Sequence, residues 1–334
     1  MRDRVAVSLI VPVYGLRTEA FQLCLASHRE QTFDDYERIV IDNGCPDLSL
    51  EGVDGDRLRC FRFDENTGAA NGRNKGASLA RGDLLLFVDA DIRLPPTAIE
   101  DLLDEYRLRP CDALMAVHQG EAYYKNFPSV FKHAYLSYFL GNLDGPVCFL
   151  DTSCLLMRRE MWERHGGFHR LSTLEDYDLG KRMTAAGATN LTTQRVKMEH
   201  LRYYSHSELL ATDFARAVMK MRLMCAYRGT QDGTSGEVMP EYRNSVMICM
   251  LGALLPLLGV PLGSRVPLWS FALPPLLVFG GVHLVNRRFL AHFLRLSDGR
   301  FRFRFLVFLV LDMLVVGVGA SYGLLLHLLG RKTT

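Results

Sequence analysis

The sequence predicts an α/β domain, with a mostly parallel sheet between helices, followed by C-terminal transmembrane helices. Two observations predict this fold class. In the N-terminal part, short apolar runs of strand length alternate with stretches of helical periodicity, as is typical of a parallel sheet covered by helices on both faces. Beyond about residue 242, most residues are Leu, Val, Phe, Gly or Pro, a composition too apolar for a soluble domain. The expected units are residues 1–205 for the α/β domain, 206–242 for an amphipathic interface helix and linker, and 243–334 for about three transmembrane helices.

Composition narrows the classes of protein to consider. The chain has 334 residues and a net charge of +2, so the N-terminal part is long enough for a full core, and no nucleic-acid partner is expected. Its eight cysteines show no pair at zinc or redox spacing, which predicts reduced thiols rather than a disulfide framework. The short apolar stretch Val5–Val13 has charged residues before it and no small-residue cleavage site, so we do not expect a signal peptide.

The α/β domain is expected to begin with four strands separated by helices. The apolar runs predicted as strands are Val5–Val13, Arg38–Ile41, Leu58–Phe63 and Leu84–Val88. The helical patterns between and after them are Phe21–Arg29, Ala69–Ala80 and Thr97–Leu108. In sheets of this kind the ligand binds at the carboxyl ends of the strands, so polar residues that follow the strands are candidate site residues.

The strongest local signal is the apolar strand Leu84–Val88, which ends in two carboxylates, Asp89 and Asp91, on either side of a small residue. Carboxylate oxygens at the ligand edge of a sheet suit Mg²⁺ or Mn²⁺, with a diphosphate completing the coordination shell. Such pairs also cap helices, and Pro95 followed by Thr97 indicates that a helix begins nearby. Taken alone, the pair leaves metal binding and capping both open.

Three further segments combine a strand end or a helix start with polar or glycine-rich sequence: VSLIVPVYG at 7–15, IVIDNG at 39–44 and NTGAANGRNKG at 66–76. In the third, backbone amides at the helix start and the side chain of Arg73 are suited to face a phosphate. Ordinary turn chemistry explains Pro12 and Gly44 equally well. The informative feature is the joint order of these segments, followed by Asp89 and Asp91.

In this order, the four segments resemble the family-two inverting glycosyltransferases with the GT-A fold, over roughly Val5–His200. The resemblance implies a hexosyltransferase that takes a sugar from a nucleotide-sugar donor and uses Mg²⁺ or Mn²⁺. It implies that the nucleotide is bound by Pro12, Tyr14, Asp42, Arg73 and Asp89. It also implies that the metal ion is bound by Asp89 and Asp91 and, as in some GT-A enzymes, by a late histidine, here His200. A lone histidine is more often structural, so both readings of His200 remain open.

A second acidic motif, LEDYDLGKR at 174–182, begins a predicted helix. Acids at a helix N-terminus also complement the helix dipole, which is the alternative reading. By the resemblance, this segment supplies the catalytic base, because displacement with inversion needs a carboxylate that accepts the proton of the acceptor hydroxyl. We expect Asp176 to be the base, with Glu175 positioning it or acting as the base itself.

The C-terminal part contains three segments long enough to cross a bilayer: Ser245–Gly263, Val266–Val285 and Phe305–Leu329. The linker Asn286–Arg304 carries six arginines against Asp298, and the positive-inside rule therefore predicts that this linker and the N-terminal domain are cytoplasmic. A buried apolar subdomain, or a re-entrant hairpin of the first two segments, is the alternative. The prediction is a multi-pass protein of the cell membrane with a cytoplasmic catalytic domain.

Between the two parts, Ser207–Arg228 is predicted to be an amphipathic helix. Its apolar face contains Leu210, Phe214, Ala217, Met221 and Met224. This pattern is typical of a helix lying on a membrane surface. Packing of the helix against the catalytic domain would produce the same stripe.

The expected function is transfer of one sugar to a lipid or polyprenyl-phosphate acceptor at the membrane. Processive synthases that resemble this chain carry a Gln-x-x-Arg-Trp motif after the base, and this sequence has Phe214-Ala-Arg216 in the corresponding region instead. The alternatives are a subunit of a processive polysaccharide synthase, and a catalytically silent nucleotide-binding scaffold at the membrane. The sequence does not indicate an oligomeric state.

Overall fold

The computed structural model describes residues 5–15, 18–46, 58–143, 145–227, 239–259 and 273–330. Within these ranges the strands are β1 (Val7–Val13), β2 (Tyr36–Asp42), β3 (Leu58–Arg62), β4 (Leu84–Val88), β5 (Ile92–Arg93), β6 (Ala113–His118), β7 (Cys154–Arg158) and β8 (Asn190–His200). They form one sheet in the order β3-β2-β1-β4-β7-β6-β8-β5. The predicted alternation of strands and helices is confirmed in the first half of the domain, where β1 to β4 are parallel.

The second half of the sheet is mixed, which the sequence did not predict. Strand β7 is antiparallel to both β4 and β6, whereas β6 and β8 are parallel. The short strand β5, directly after β4, pairs antiparallel with the end of β8. This last pairing matters for function because it brings the end of β8 to the carboxyl end of β4.

The helices in the described ranges are α1 (Thr18–Arg29), α2 (Ala69–Leu79), α3 (Ala98–Leu108), α4 (Phe127–Gly141), α5 (Arg159–Arg164), α6 (Glu175–Ala185), α7 (His206–Ala226), α8 (Pro240–Gly259), α9 (Leu273–Val285), α10 (Arg287–Leu296) and α11 (Arg302–Leu328). Helices α1 and α3 cover one face of the sheet, and α2, α6 and α7 pack on the other. Strands β1, β2 and β4 are buried on both faces, which explains the nearly continuous apolar sequences of β1 and β4.

A close approach of α2 to β1 depends on Gly76. A Cβ atom at this position would lie 2.3 Å from Cγ2 of Ile10. The glycine therefore allows α2 to lie directly on the sheet, and the start of α2 is held close to the carboxyl end of β1.

The C-terminal helices join the α/β domain through a third apolar core. This core contains phenylalanines of α4, α10 and α11, with centroid separations of 6.3 Å between Phe131 and Phe293 and 4.5 Å between Phe293 and Phe305. Helix α4 also contacts the sheet, so the same helix is shared by the α/β domain and the C-terminal helices.

Helix α7 lies between the α/β domain and α11. A capping box starts it: Glu208 N donates to Ser205 Oγ at 3.2 Å, and Ser205 N donates to Glu208 Oε2 at 2.9 Å. Part of the predicted apolar stripe packs on α11: Phe214 stacks on Tyr322 with centroids 6.4 Å apart, and Ala217 faces Gly319. The described part of the chain thus favours packing over a membrane-surface position for Phe214.

One of the three predicted membrane segments forms a helix of sufficient length and hydropathy within the described residues. This is α11, with 27 residues and a mean hydropathy of 2.2. The first segment, Ser245–Gly263, falls in α8 as far as Gly259, and its residues 260–263 lie outside the described ranges. Residues 266–272 of the second segment lie outside the described ranges, and its described part is α9 (Leu273–Val285), an apolar helix of 13 residues.

A buried ion pair connects α4 to α7. Lys132 Nζ donates to Asp213 Oδ1, and the two side chains are 5% and 10% exposed. Asp312 of α11, the charged residue inside the third predicted membrane segment, is buried beside them. Two carboxylates and one ammonium group therefore meet where three helices join.

Replacing Lys132 with Met is expected to destabilise the protein by about 3–5 kcal/mol, because it leaves Asp213 buried without its counter-charge. Thermal unfolding of the detergent-solubilised chain measures this. In the double variant Lys132→Met/Asp213→Leu part of the loss should be recovered, since the ion pair is removed together and only Asp312 remains. A single variant as stable as the wild type would contradict the prediction.

Candidate active site

A cleft of about 480 Å³ opens at the carboxyl ends of β1 and β4. Eight of the residues singled out in the sequence line it: Pro12, Tyr14, Arg73, Asp89, Asp91, Glu175, Asp176 and His200. They come from strand ends, helix starts and connecting loops that are far apart in the chain. The topology of the sheet therefore brings both acidic motifs to one cavity.

Asp42 does not line this cleft. Its side chain is fully buried, its Oδ1 accepts a hydrogen bond from the Cys45 amide at 2.9 Å, and its Oδ2 lies 3.4 Å from Arg62 Nε. Successive side chains at a strand end point to opposite sides, so the next residue, Asn43, lines the cleft instead. Asp42 holds the turn after β2.

Asn43 organises the part of the cleft next to β1 and β2. Its Oδ1 accepts hydrogen bonds from the Thr67 amide at 3.1 Å and the Thr67 hydroxyl at 2.8 Å, and its Nδ2 donates to Asn66 Oδ1 at 3.0 Å. These bonds tie the end of β2 to the loop before α2. Asn43 and Asn66 were not among the predicted site residues, although Asn43 lies two residues after the predicted strand Arg38–Ile41.

Arg73 joins the two acidic motifs. From α2, its guanidinium donates to Asp89 Oδ1 at 2.7 Å and to Glu175 Oε1. Burial lowers the pKa of Arg73, but the negative charges of Asp89, Glu175 and Asp176 raise it further, so the net shift is upward. Arg73 is therefore a permanent cation in the middle of the cleft.

Asp91 and His200 are neighbours because β5 pairs with the end of β8, with Ile92 opposite His200. His200 Nε2 lies 3.4 Å from Asp91 Oδ2, and Arg202 Nη1 lies 3.8 Å from the same oxygen. Burial raises the pKa of Asp91, but His200 and Arg202 lower it to about 2. Asp91 thus stays ionised at physiological pH.

Asp89 has a different environment. Burial raises its pKa, Arg73 lowers it and the nearby charge of Asp91 raises it, with a net upward shift. One of its oxygens is held by Arg73, as described above. The two acids of the motif are therefore not equivalent.

The expected divalent cation has a partial set of protein ligands in this cleft. No group of three or more His, Cys, Asp or Glu side chains in the described ranges is arranged to hold a metal ion. Asp91 and His200 nevertheless offer an oxygen and a nitrogen 3.4 Å apart. Mg²⁺ is commonly bound by one or two carboxylates together with substrate phosphates, so this pair fits a cation that is shared with a diphosphate.

Asp176 lies at the start of α6 and accepts three hydrogen bonds. The Thr152 amide and hydroxyl donate to Oδ2 at 3.2 and 3.3 Å, and the Tyr177 amide donates to Oδ1 at 2.7 Å. Burial and the charges of Glu175 and Asp151 raise the pKa of Asp176 to about 7. A carboxylate with this pKa is suited to accept a proton near neutral pH.

The position of α6 depends on two backbone features. Leu174, immediately before the helix, has φ of 63°, a left-handed conformation that is uncommon for a non-glycine residue. A Cβ atom at Gly180 would lie 2.5 Å from Leu150 N, so only glycine allows α6 to lie against this loop. The same loop carries Thr152, whose contacts with Asp176 follow from this packing.

The other part of the cleft is lined by residues that the sequence did not single out as site residues. They are Leu136, Asp151, Thr152, Arg202, Tyr204, Thr212 and Arg216. Asp151 follows no predicted strand, and Arg216 stands out only as a cation beside the apolar stripe of α7. They lie on α4 and α7, in the loop before β7 and in the segment after β8, which come together at the cleft only in the folded chain.

Comparison with known proteins identifies a family model that part of the chain matches. Residues 8–166 match the sequence model of "Glycosyl transferase family 2". The chain is similar to "Putative glycosyltransferase EpsH" of Bacillus subtilis, with 37% identity over 29% of each chain. It is also similar to "Uncharacterized glycosyltransferase" of Haemophilus influenzae, with 30% identity over 52% of this chain and 60% of the relative. The chain thus spans 29% and 60% of the lengths of these two relatives.

Solved structures with a similar fold include "Mannosyltransferase PcManGT from Pyrobaculum calidifontis in complex with GDP-Man and Mn2+", with a TM-score of 0.57 and 16% identity. The similarity covers 99% of this chain and 89% of that one. A second is S. aureus TarS 1-349, with a TM-score of 0.51, 15% identity, and coverage of 98% and 93%. At these identities the similarity concerns the fold alone.

Proposed function

Because residues 8–166 are a glycosyl transferase family 2 domain with the GT-A fold, we propose that the chain is a metal-dependent inverting glycosyltransferase that moves a sugar from a nucleotide sugar to a membrane-associated acceptor. The proposal depends on one observation. A single cleft is lined by Arg73, Asp91, Asp176 and His200, so a candidate cation-binding pair, a permanent cation and a candidate base face the same space.

The proposed donor site occupies the half of the cleft next to β1 and β2. Pro12, Tyr14 and Asn43 would contact the nucleoside, and the start of α2 and Arg73 would face the diphosphate. In support, the Pyrobaculum neighbour is described as bound to GDP-Man, and TarS 1-349 has been solved in complex with UDP. Asp42 is left out of this site because it is buried under the turn.

Asp91 and His200 would hold Mg²⁺ or Mn²⁺, with Asp89 beside them. When bound, the cation would neutralise the developing charge of the nucleoside diphosphate leaving group. Arg73 contributes a fixed positive charge to the same region and keeps Asp89 and Glu175 in place. Support for the choice of ion comes from the Pyrobaculum neighbour, which is described with Mn²⁺.

Asp176 would orient the acceptor and accept its proton. Its three hydrogen-bond donors hold the carboxylate in one orientation, which favours a precise approach to the acceptor oxygen. Glu175 is less suited to this role, because its carboxylate is engaged by Arg73. It would position Arg73 and, through it, Asp89.

We place the acceptor at a membrane on the basis of exposed apolar side chains. Leu311, Val318 and Leu325 of α11 are 44, 54 and 49% exposed, and α9 exposes Leu276 and Leu277. A surface of this kind is costly in water, and lipid would cover it. The chain is also 32% identical over 111 residues to "Glucosyl-dolichyl phosphate glucuronosyltransferase" of Haloferax volcanii. We therefore propose a lipid or polyprenyl-phosphate acceptor, with the C-terminal helices in the cell membrane and the catalytic domain cytoplasmic.

Incubation of membranes containing the chain with a panel of labelled nucleotide sugars and Mn²⁺ or Mg²⁺ tests the proposal. We expect one label to enter the organic phase, and this signal to disappear on addition of EDTA. Long products on a gel would instead identify a processive synthase. Nucleotide binding without any turnover, even with extracted native lipids, would indicate a scaffold and overturn the proposal.

The pH dependence of activity should show an acid limb near pH 7. Asp176 accepts a proton only when ionised, and its pKa is about 7, so kcat/KM for a hydroxyl acceptor should rise through this pH and level off above it. A divalent cation bound nearby would favour the ionised form of Asp176. The rise of kcat with pH should therefore occur at lower pH than the rise of kcat/KM. Initial rates between pH 5 and 9 measure this. A limb that is retained in Asp176→Asn would assign it to another group.

A further inference from the structure

Three arginines line the cleft, and one of them differs from the others. Arg73 is held between Asp89 and Glu175, and Arg202 lies 3.8 Å from Asp91. Arg216 also lines the cleft, but within the described ranges no carboxylate lies within 4.0 Å of it and no hydrogen bond involves its side chain. It is a half-buried cation without a direct partner among these residues.

Charge around Arg216 is nevertheless negative. Burial lowers the pKa of Arg216, but Asp176 and Asp151 raise it further, so the guanidinium is held charged in the cleft. A cation removed partly from water is costly unless it binds an anion. Its five donors form a fork that matches two oxygens of a phosphate. The Arg216 guanidinium is therefore available to bind an anion near the candidate base, Asp176.

The position of Arg216 on α7 connects it to the C-terminal helices. A Cβ atom at Gly319 would lie 2.8 Å from Phe214 O, and one at Gly323 would lie 2.3 Å from Val218 O, so α7 and α11 are in close contact at these two residues. In an α-helix, a residue two positions away is rotated by about 200°. Arg216 therefore lies on the side of α7 that faces away from α11, and the width of α7 lies between them.

We propose that Arg216 binds a phosphate group of the acceptor, so that the acceptor is a lipid phosphate rather than a neutral lipid. The inference depends on the proposed function for identifying this ligand as the acceptor. The apolar part of such a lipid would lie against the exposed surface of α11, and its phosphate would pass α7 to reach Arg216. The reacting oxygen would then lie next to Asp176.

Two kinds of phosphate-bearing acceptor are compatible with sugar transfer at this site. In both, the bond between the anomeric carbon and the donor diphosphate breaks, its electron pair leaves with the nucleoside diphosphate, and an acceptor oxygen bonds to the anomeric carbon. With a polyprenyl monophosphate dianion, a phosphate oxygen attacks and no proton is transferred. With a polyprenyl diphosphate-linked sugar, a hydroxyl attacks and its proton goes to Asp176.

The purified full-length chain in detergent distinguishes these cases with three acceptors: a short polyprenyl monophosphate, the corresponding polyprenol, and the corresponding diphosphate-linked sugar. Wild type is expected to use a phosphate-bearing acceptor and to reject polyprenol. Arg216→Gln should raise the KM for the phosphate-bearing acceptor by about 10- to 100-fold, the range for loss of a charged hydrogen bond. The KM for the nucleotide sugar should stay within about 2-fold of wild type, since only the acceptor contact is lost.

Two further variants sharpen this test. Arg216→Lys keeps the charge but loses the fork, so its KM should fall between those of wild type and Arg216→Gln. Lys220→Gln removes a charge one turn further along α7, at a residue that does not line the cleft, and should leave the acceptor KM unchanged. An equal effect of Lys220→Gln would indicate general electrostatics and overturn the inference.

Direct binding separates failure of this inference from failure of the proposed function. Binding of the polyprenyl monophosphate and of the diphosphate-linked sugar, measured by thermophoresis without donor, should be lost in Arg216→Gln and kept in Lys220→Gln. Transfer to polyprenol with the same KM as to its phosphate, or a raised KM for the nucleotide sugar in Arg216→Gln, would overturn this inference and leave the transferase intact. If no sugar is transferred, the proposed function falls. In that case, binding of the lipid phosphates that depends on Arg216 would still support an anion site at this residue. Binding that is the same in Arg216→Gln would overturn the anion site as well.

Discussion

Replacing Asp176 with Asn is expected to lower kcat by about 10²- to 10⁴-fold with a hydroxyl acceptor, the usual contribution of a general base. Asparagine preserves the shape and can still accept from the Thr152 hydroxyl, but it cannot take a proton. The KM for the nucleotide sugar should change little, because Asp176 lies away from β1 and β2. Steady-state kinetics at pH 8, with thermal unfolding to verify the fold, provide the measurement. With a polyprenyl monophosphate the loss should be smaller, since the dianion has no proton to transfer.

Glu175→Gln is the matched comparison, because it removes the neighbouring carboxylate. Glu175 accepts from Arg73, so this variant should loosen Arg73 and raise the KM for the donor more than it lowers kcat. If Glu175→Gln instead showed the larger loss of kcat and Asp176→Asn kept most of its activity, the base would be Glu175. That result would reverse the assignment of the two acids.

Replacing Asp91 with Ala is expected to lower kcat/KM by about 10³-fold, because a cation that stabilises the leaving group contributes several kcal/mol. Asp91 is the one acid of the pair that is not engaged by Arg73, and its low pKa keeps it ionised. The Mn²⁺ concentration needed for half-maximal activity should rise steeply. Titration of activity with Mn²⁺, and Mn²⁺ binding measured by electron paramagnetic resonance, check this prediction.

Glu199→Gln is a suitable control for Asp91→Ala. Glu199 precedes His200 on β8, but its carboxylate is paired with Arg93 and does not line the cleft. Its replacement should leave the Mn²⁺ requirement unchanged. An unaltered Mn²⁺ dependence in Asp91→Ala would remove the proposed cation site.

Local sequence was sufficient for the first half of the sheet. The run Leu84–Val88 was predicted as a buried strand ending at Asp89, and the strand β4 has the same bounds. This worked for β4 because a strand buried on both faces favours a continuous apolar run, and here the first charged residue after that run is Asp89. The mixed second half escaped prediction, since nothing in β7 itself encodes the direction of its neighbours.

Which of Asp42 and Asn43 faces the cleft could not be predicted from their position at the end of a strand. The sequence places both residues at the end of β2, and the resemblance favoured Asp42 for the nucleoside. In the folded chain the Asp42 carboxylate accepts from Cys45 N under the turn, and Asn43 lines the cleft. The alternation of side chains decides this choice, and a shift of one residue reverses it.

By itself the sequence determined which segments are buried strands, where acids follow them, and that the C-terminal part is apolar. These features depend on periodicity and residue type, which are local properties. Only the tertiary structure decided that Arg73 joins Asp89 to Glu175, that His200 lies beside Asp91, and that Arg216 enters the same cleft. The physical reason is that such contacts arise from strand order and helix docking, which bring together residues separated by long stretches of chain.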